Sequence, residues 1–98
     1  MNPIVSQVYA YPNPSRAGTT FIHYHLERTA RAVRLKVYDP AGNLVSEPAT
    51  SPADLLGSSE HSVPWSHVAH ASGLYVCRLE VESDRGVEVK FTNVAVVR

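Results

Sequence analysis

A single cysteine, Cys77, is all that the 98-residue sequence contains, which excludes an intramolecular disulfide and any cysteine-based metal cluster. Cysteine usage therefore leaves the redox compartment open. An excess of charge of one sign is also missing, since nine Lys and Arg balance nine Asp and Glu. No long-range field draws the chain toward phosphate backbones or acidic lipid, and nucleic acid is not an expected partner. Long apolar runs are absent as well. Stretches such as Val94-Ala95-Val96-Val97 fall far short of the ~20 residues a helix needs to cross a bilayer. The first residues, Met1-Asn2-Pro3-Ile4-Val5-Ser6, have neither a basic start nor an apolar h-region, so they do not form a secretory signal. The sequence is then either cytosolic or a domain excised from a larger protein with a foreign Met1, and we favour the second.

What the sequence does have is apolar alternation. Folding a chain of this length opposes an ordering cost on the order of 100 kcal/mol, so most of the 44% of residues that are hydrophobic must be packed inside. No stretch sustains an apolar stripe at i, i+3, i+4, i+7, whereas period-two patterns recur along the whole chain. Ile4 to Tyr11 reads as a first strand, and Pro12-Asn13-Pro14-Ser15-Arg16-Ala17-Gly18 as a loop, because proline fixes φ and removes ladder donors. Thr20 to Leu26 places Ile22, Tyr24 and Leu26 on a core face, with Phe21, His23 and His25 on the other. Ala32 to Tyr38 alternates Val33, Leu35 and Val37 with polar neighbours. Asp39-Pro40-Ala41-Gly42-Asn43 then turns the chain into a return strand at Leu44-Val45.

From Glu47 to Ser59 the alternation lapses, with a helical turn over 51–56 capped by Ser51 and begun at Pro52. Glu60 to Trp65 resumes it, and Trp65 is large enough to plug the centre of a small sandwich. Leu74 to Glu82 pairs through Ser83-Asp84-Arg85-Gly86 with Val87 to Val97 in a hairpin. In that last strand Val87, Val89 and Phe91 are out of phase with Val94 and Val96, which predicts a bulge near Thr92-Asn93. Cys77 shares a strand face with Tyr75, Leu79 and Val81, as an inert buried thiol does. Seven strand candidates in one uninterrupted domain over 1–98 point to an all-β antiparallel sandwich of immunoglobulin-like kind, with a small barrel as the alternative.

The order of motifs resembles a known family. Tyr11-Pro12-Asn13-Pro14, Gly18 to Leu26, Val37-Tyr38-Asp39-Pro40-Ala41-Gly42-Asn43-Leu44-Val45, Trp65 and Ala71-Ser72-Gly73-Leu74-Tyr75-Val76 are similar to the immunoglobulin-like domain of flagellar hook-capping proteins and of the carboxy-terminal sorting domains of the type IX secretion system. The resemblance runs from about Tyr9 to the end. It marks Asn13, Pro14, Gly18, Asp39, Gly42, Trp65, Gly73 and Tyr75 as fold residues: Asn13 holding its own loop by a backbone hydrogen bond, Asp39 and Gly42 shaping a hairpin, Gly73 giving room at a strand entry, and Tyr75 placing its ring inside and its hydroxyl at the edge. Trp65-Ser66-His67 departs from the Asp or Asn followed by Gly that the family usually carries after the tryptophan.

Such sorting domains sit at the carboxyl end of exported bacterial proteins and direct them across the outer membrane, much of the signal lying in the last strand. The resemblance therefore implies a noncatalytic accessory module, extracellular or at the cell surface, acting in sorting, attachment or assembly. Its sorting or partner surface would be Lys90, Val94, Val96, Val97 and Arg98. The implied partners are proteins, either secretion or assembly machinery or other domains of the parent, with self-association through edge strands as a further route.

Other chemistry has little to build on. His23 and His25 share a strand face at a spacing that can hold a metal, yet a third ligand would have to come from His61, His67, His70 or a carboxylate, and solvent-facing histidines are expected instead. Ser, His and Asp are all present, but no Gly-x-Ser-x-Gly elbow, His-Glu-x-x-His helix or Gly-rich phosphate loop occurs. We expect neither an enzyme nor a cofactor. The rival binding reading is a carbohydrate module, for which Tyr9, Tyr11, Tyr38 and Phe21 would have to form one exposed aromatic strip.

Overall fold

β-Branched and aromatic residues in alternation make this chain fit a pleated, half-buried surface far better than a helix. A computed structural model describes residues 3–98; Met1, whose origin the sequence leaves in question, lies outside them. The strands are β1 (Val5–Tyr11), β2 (Thr19–Leu26), β3 (Ala32–Tyr38), β4 (Leu44–Ser46), β5 (Ser59–Ser66), β6 (Gly73–Ser83) and β7 (Gly86–Val96). Between β4 and β5 a 3₁₀ turn spans Pro52–Leu55. Ser51 is its N-cap, as expected, and Asp54 completes a capping box, its carboxylate accepting from the Ser51 N–H at 2.8 Å and from the Ser51 hydroxyl at 3.2 Å.

The strands form two antiparallel sheets, β1-β2-β5 and β4-β3-β6-β7. This is a sandwich and not a barrel, because among the described residues the only backbone bridge outside the strand ladders is the parallel one between Ser15 and Val96. Core positions follow the predicted phases. Ile22, Tyr24, Leu26, Val63 and Trp65 from the first sheet meet Val33, Leu35, Val37, Tyr75, Cys77, Leu79 and Val81 from the second, and all are buried.

The bulge predicted near Thr92-Asn93 is not there. β6 and β7 pair in one unbroken register from Gly73↔Val96 to Ser83↔Gly86, held by the two-residue turn at Asp84-Arg85. What changes along β7 is chemistry, not register. Val94 and Val96 point inward and are buried, whereas Val87 and Phe91 lie on the opposite face, 57% and 60% exposed. The inward positions nearer the turn carry Glu88, Lys90 and Thr92. Glu88 remains useful there because its carboxylate accepts hydrogen bonds from the Ile4 and Val5 N–H groups at 2.8–3.1 Å, tying the start of β1 to the opposite sheet.

Candidate functional surface

One end of the sandwich is closed by an aromatic cluster. Thr20 and Trp65 are cross-strand partners, and the indole ring packs at 5.4 Å from Tyr75 and 5.6 Å from both His67 and His70. The Tyr75 hydroxyl leaves the core and donates to the Ala71 carbonyl at 2.7 Å, the tyrosine-corner arrangement of immunoglobulin-like folds. Gly73 lets β6 begin here, since a Cβ at that position would lie 2.9 Å from the Pro40 ring. His67, which the sequence reading treats only as a spare metal ligand, is buried and lies 2.6 Å from the equally buried Ser15 hydroxyl. Its N–H also donates to the Gly18 carbonyl, where the backbone takes φ +93° and an added Cβ would meet Val68 at 2.9 Å.

Asn13 does something other than hold its own loop. Its amide nitrogen donates to the Asn93 carbonyl and its oxygen accepts from the Ala95 N–H, both at 2.9 Å. Ser15 continues the contact, donating its N–H to the Ala95 carbonyl and accepting from the Val97 N–H. The loop is thus a clip over the free edge of β7 from Asn93 to Val97. An unpaired edge is a template for adventitious pairing, and covering it is a common protection. Asn13→Ala removes two hydrogen bonds at once, so we expect about 1–2 kcal/mol of destabilisation and a thermal midpoint roughly 5–15 °C lower, readable by circular dichroism.

At the same end, where Pro40 abuts the start of β6 at Gly73, Asp39 accepts from the Ala41 and Asn43 N–H groups. The Asn43 N–H above all holds its carboxyl below the usual range, and Gly42 supplies the positive φ of the turn. Asp39 and Gly42 are therefore hairpin residues, on the β3 side of β6 rather than on β7.

Of the residues expected to present a partner surface, Val94 and Val96 do not: the unbroken β6–β7 register turns both into the core. Val97 is half-buried beneath the clip. Lys90 and Arg98 are exposed, Arg98 with its N–H on the Ser72 hydroxyl and Lys90 without an anionic partner within 4 Å among the described residues. Beside them the outer face of β7 displays Val87, Val89 and Phe91, and β6 adds Leu74. This apolar strip borders an ionic ladder on β3 and β6, in which Glu80 bonds Arg78 and Arg34 at 3.1 and 2.8 Å. Those two contacts, Arg78 first, lower the Glu80 carboxyl.

The remaining candidate groups are dispersed. His23 stacks on Tyr9 with centroids 4.8 Å apart and planes 8° from parallel, while His25 pairs with Glu27 at 2.8 Å. No group of three metal-ligating side chains converges among the described residues. The Ser15–His67 pair has no carboxylate behind it, since His25–Glu27 is the only histidine–carboxylate contact within 4 Å among those residues. Tyr9, Tyr11 and Phe21 lie on the outer face of the β1-β2-β5 sheet, whereas Tyr38 belongs to the other sheet, so the expected four-residue aromatic strip is split. A shallow open depression of about 310 Å³ lies between Arg16, Val68 and Arg98.

Comparison with known proteins places these features in a context. Residues 9–92 match the model of the secretion system C-terminal sorting domain. No curated protein matches the chain. Among solved structures, CopC from Methylosinus trichosporium OB3b superposes with a TM-score of 0.59 at 16% identity, over 92% of this chain and 93% of that one. PorZ, an essential bacterial surface component of the type-IX secretion system of Porphyromonas gingivalis, superposes with a TM-score of 0.53 at 24% identity, over 93% of this chain but only 11% of its own. At these identities the structural likenesses speak to the fold alone.

Proposed function

The chain belongs to the family of secretion system C-terminal sorting domains, and from that premise we propose that it is a noncatalytic accessory module recognised by protein partners through the exposed part of its last strand. A secretion-sorting module of an exported protein is what the family membership supports. The finer reading rests on one observation: β7 turns Val87, Val89 and Phe91 to solvent on the face where a closing strand would ordinarily be polar. A contiguous exposed apolar patch rimmed by polar residues is a mark of a protein contact surface. Lys90 lies between Val89 and Phe91 on the other face of the strand, and Arg98 follows the strand's end; both are exposed and carry positive charge near the strip. A catalytic role has no comparable support, since Ser15 and His67 are both sealed from solvent.

The carbohydrate alternative is weaker on geometry. A sugar stacks on a free ring face, and Tyr9 and His23 turn their faces on one another.

The test is to fuse residues 9–98 behind a signal peptide and a reporter in a bacterium with a working type IX system. The expected result is reporter at the cell surface or in the medium. Replacing Val87, Val89 and Phe91 together by serine should leave the domain folded, with a thermal midpoint lowered by no more than about 6–12 °C, because surface substitutions change stability by only about 0.5 kcal/mol each. It should nevertheless hold the reporter in the periplasm. A parent fusion that stays in the periplasm overturns the sorting role. A triple variant exported as well as the parent moves recognition away from this face.

A further inference from the structure

The clip formed by Asn13 and Ser15 covers only part of the β7 edge, and the part it leaves bare has an unusual sequence. Backbone groups in a strand alternate in direction, and those of Asn93, Ala95 and Val97 are the ones that point outward, as their bonds to Asn13 and Ser15 require. By the same period the N–H and C=O groups of Val87, Val89 and Phe91 point to the same free edge. Among the described residues these groups have no backbone hydrogen-bond partner on that edge, although β1 packs beside β7. Along this bare segment the residues read Val87-Glu88-Val89-Lys90-Phe91, apolar, acidic, apolar, basic, apolar, which is complementary to itself when reversed.

We propose that β7 pairs antiparallel with β7 of a second copy, about a two-fold axis at Val89. In that register Val89 faces Val89 of the other copy, and Val87 faces Phe91. All of these residues aim their backbone groups at the shared edge, so the pairs are mutually hydrogen-bonded. On the inner face Glu88 falls opposite Lys90, twice by symmetry. These are non-hydrogen-bonded positions, where opposing Cα atoms approach to about 4.5 Å and side chains meet most closely. Glu88 already accepts from Ile4 and Val5, but an ionised carboxylate has roughly four acceptor sites and can take a lysine in addition.

Neighbouring registers fail. An axis at Glu88 sets two carboxylates face to face, and one at Lys90 sets two ammonium groups face to face. An axis at Phe91 drives the second strand into the clip, and one at Val87 runs out of strand at the Asp84-Arg85 turn. The match at Val89 is isologous, as a closed two-fold interface must be.

Five residues from each strand bury much less than the roughly 1,200 Å² of a standard interface, so the dimer should be weak, with Kd on the order of 0.1 mM. Sedimentation of the 98-residue chain over a concentration series is the test, and a reversible monomer–dimer equilibrium is expected. Lys90→Glu brings like charges together twice and should raise Kd roughly tenfold or more. Val89→Pro removes an N–H that has no partner among the described residues and puts a ring on the edge, a position where proline is tolerated. It should leave only monomer, with the thermal midpoint little changed. If circular dichroism shows that variant unfolded, Lys90→Glu alone decides.

A chain that stays monomeric up to about 1 mM overturns the proposal, since that is well above the expected Kd, and it leaves the edge to some other strand. A dimer indifferent to both substitutions also overturns it. A dimer that Val89→Pro dissolves and Lys90→Glu leaves intact overturns the register. None of these measurements involves export, so failure here leaves the sorting proposal standing.

Discussion

Trp65→Ala is expected to lower the thermal midpoint by roughly 15–30 °C and to leave much of the domain unfolded at growth temperature. Truncating a fully buried tryptophan costs about 3–5 kcal/mol. Small domains hold only about 5–15 kcal/mol in total, and each kcal/mol is worth about 4–8 °C at this size. The loss should sit at the high end because the indole is a hub: Tyr75, His67 and His70 all pack on it. Removing it loosens the tyrosine corner and the Ser15–His67 contact together. Trp65→Phe separates the volume from the polar atom. The indole Nε1 is buried without a hydrogen-bond partner among the described residues, so losing it forfeits no bond. We therefore expect that variant to lose only about 1–2 kcal/mol, for the smaller ring. Urea denaturation of the two variants measures both values, and equal losses would mean that Nε1 contributes more than its surroundings indicate.

The reason Trp65 can be named as the plug from sequence alone is that period-two alternation is a local signal. His61, Val63 and Trp65 repeat at the spacing that puts them on one face, and no distant residue can alter that parity. The same holds for Ile22, Tyr24 and Leu26 and for Tyr75, Cys77, Leu79 and Val81, and every one of these positions faces the interior. Turns are similarly local, as the hairpin at Asp39-Pro40-Ala41-Gly42-Asn43 shows.

Long-range pairing is where local reasoning loses sight. Asn13 is legible as a loop residue, but its partners on β7 are some eighty residues away in sequence, and no pattern near Asn13 announces them. His67 is hidden for a related reason. A histidine after the last apolar position of a strand ordinarily meets water, and only the arrival of Ser15 from the first loop seals it. The Val87-to-Phe91 phase error was a true signal wrongly explained. Alternation breaks either because the backbone slips or because the faces change roles, and sequence cannot tell one from the other. The short Asp84-Arg85 turn fixed the register, so the faces had to exchange, and the hydrophobic residues came out onto the surface that now carries the functional proposal.

The second large effect is a loss of stability in alkali. Cys77 and Tyr24 stand on opposite sheets, both facing the core and both almost wholly buried. Burial pushes the Cys77 thiol up to about 12. It also raises the Tyr24 phenol, with the Asp54 charge adding to it, while the hydroxyl donates to the Asp54 carbonyl at 2.9 Å. Below the unfolded values of about 8.5 and 10 both groups are neutral in either state, and their full contribution is present. As pH rises past those values the unfolded chain releases protons that the folded chain keeps. Stability then falls by about 1.4 kcal/mol per pH unit for each group, until the folded group itself ionises. By about pH 11 the two together should remove several kcal/mol, a large share of the total for a domain of this size. Measured as urea midpoint against pH with reductant present, the curve should turn down near 8.5 and steepen near 10. Cys77→Ala should lower the whole curve, since it opens a small cavity, yet abolish the first bend and keep the second. On the acid side the groups held low, Asp39 and Glu80, are half-buried at the surface, where solvent still screens them, so the fall through their unfolded values near 4 should be shallow by comparison. A curve flat to pH 11 would show that the interior admits water to the thiol, and the tight packing of the two sheets around it would then be wrong, whereas a first bend that survives Cys77→Ala would assign that bend to another group.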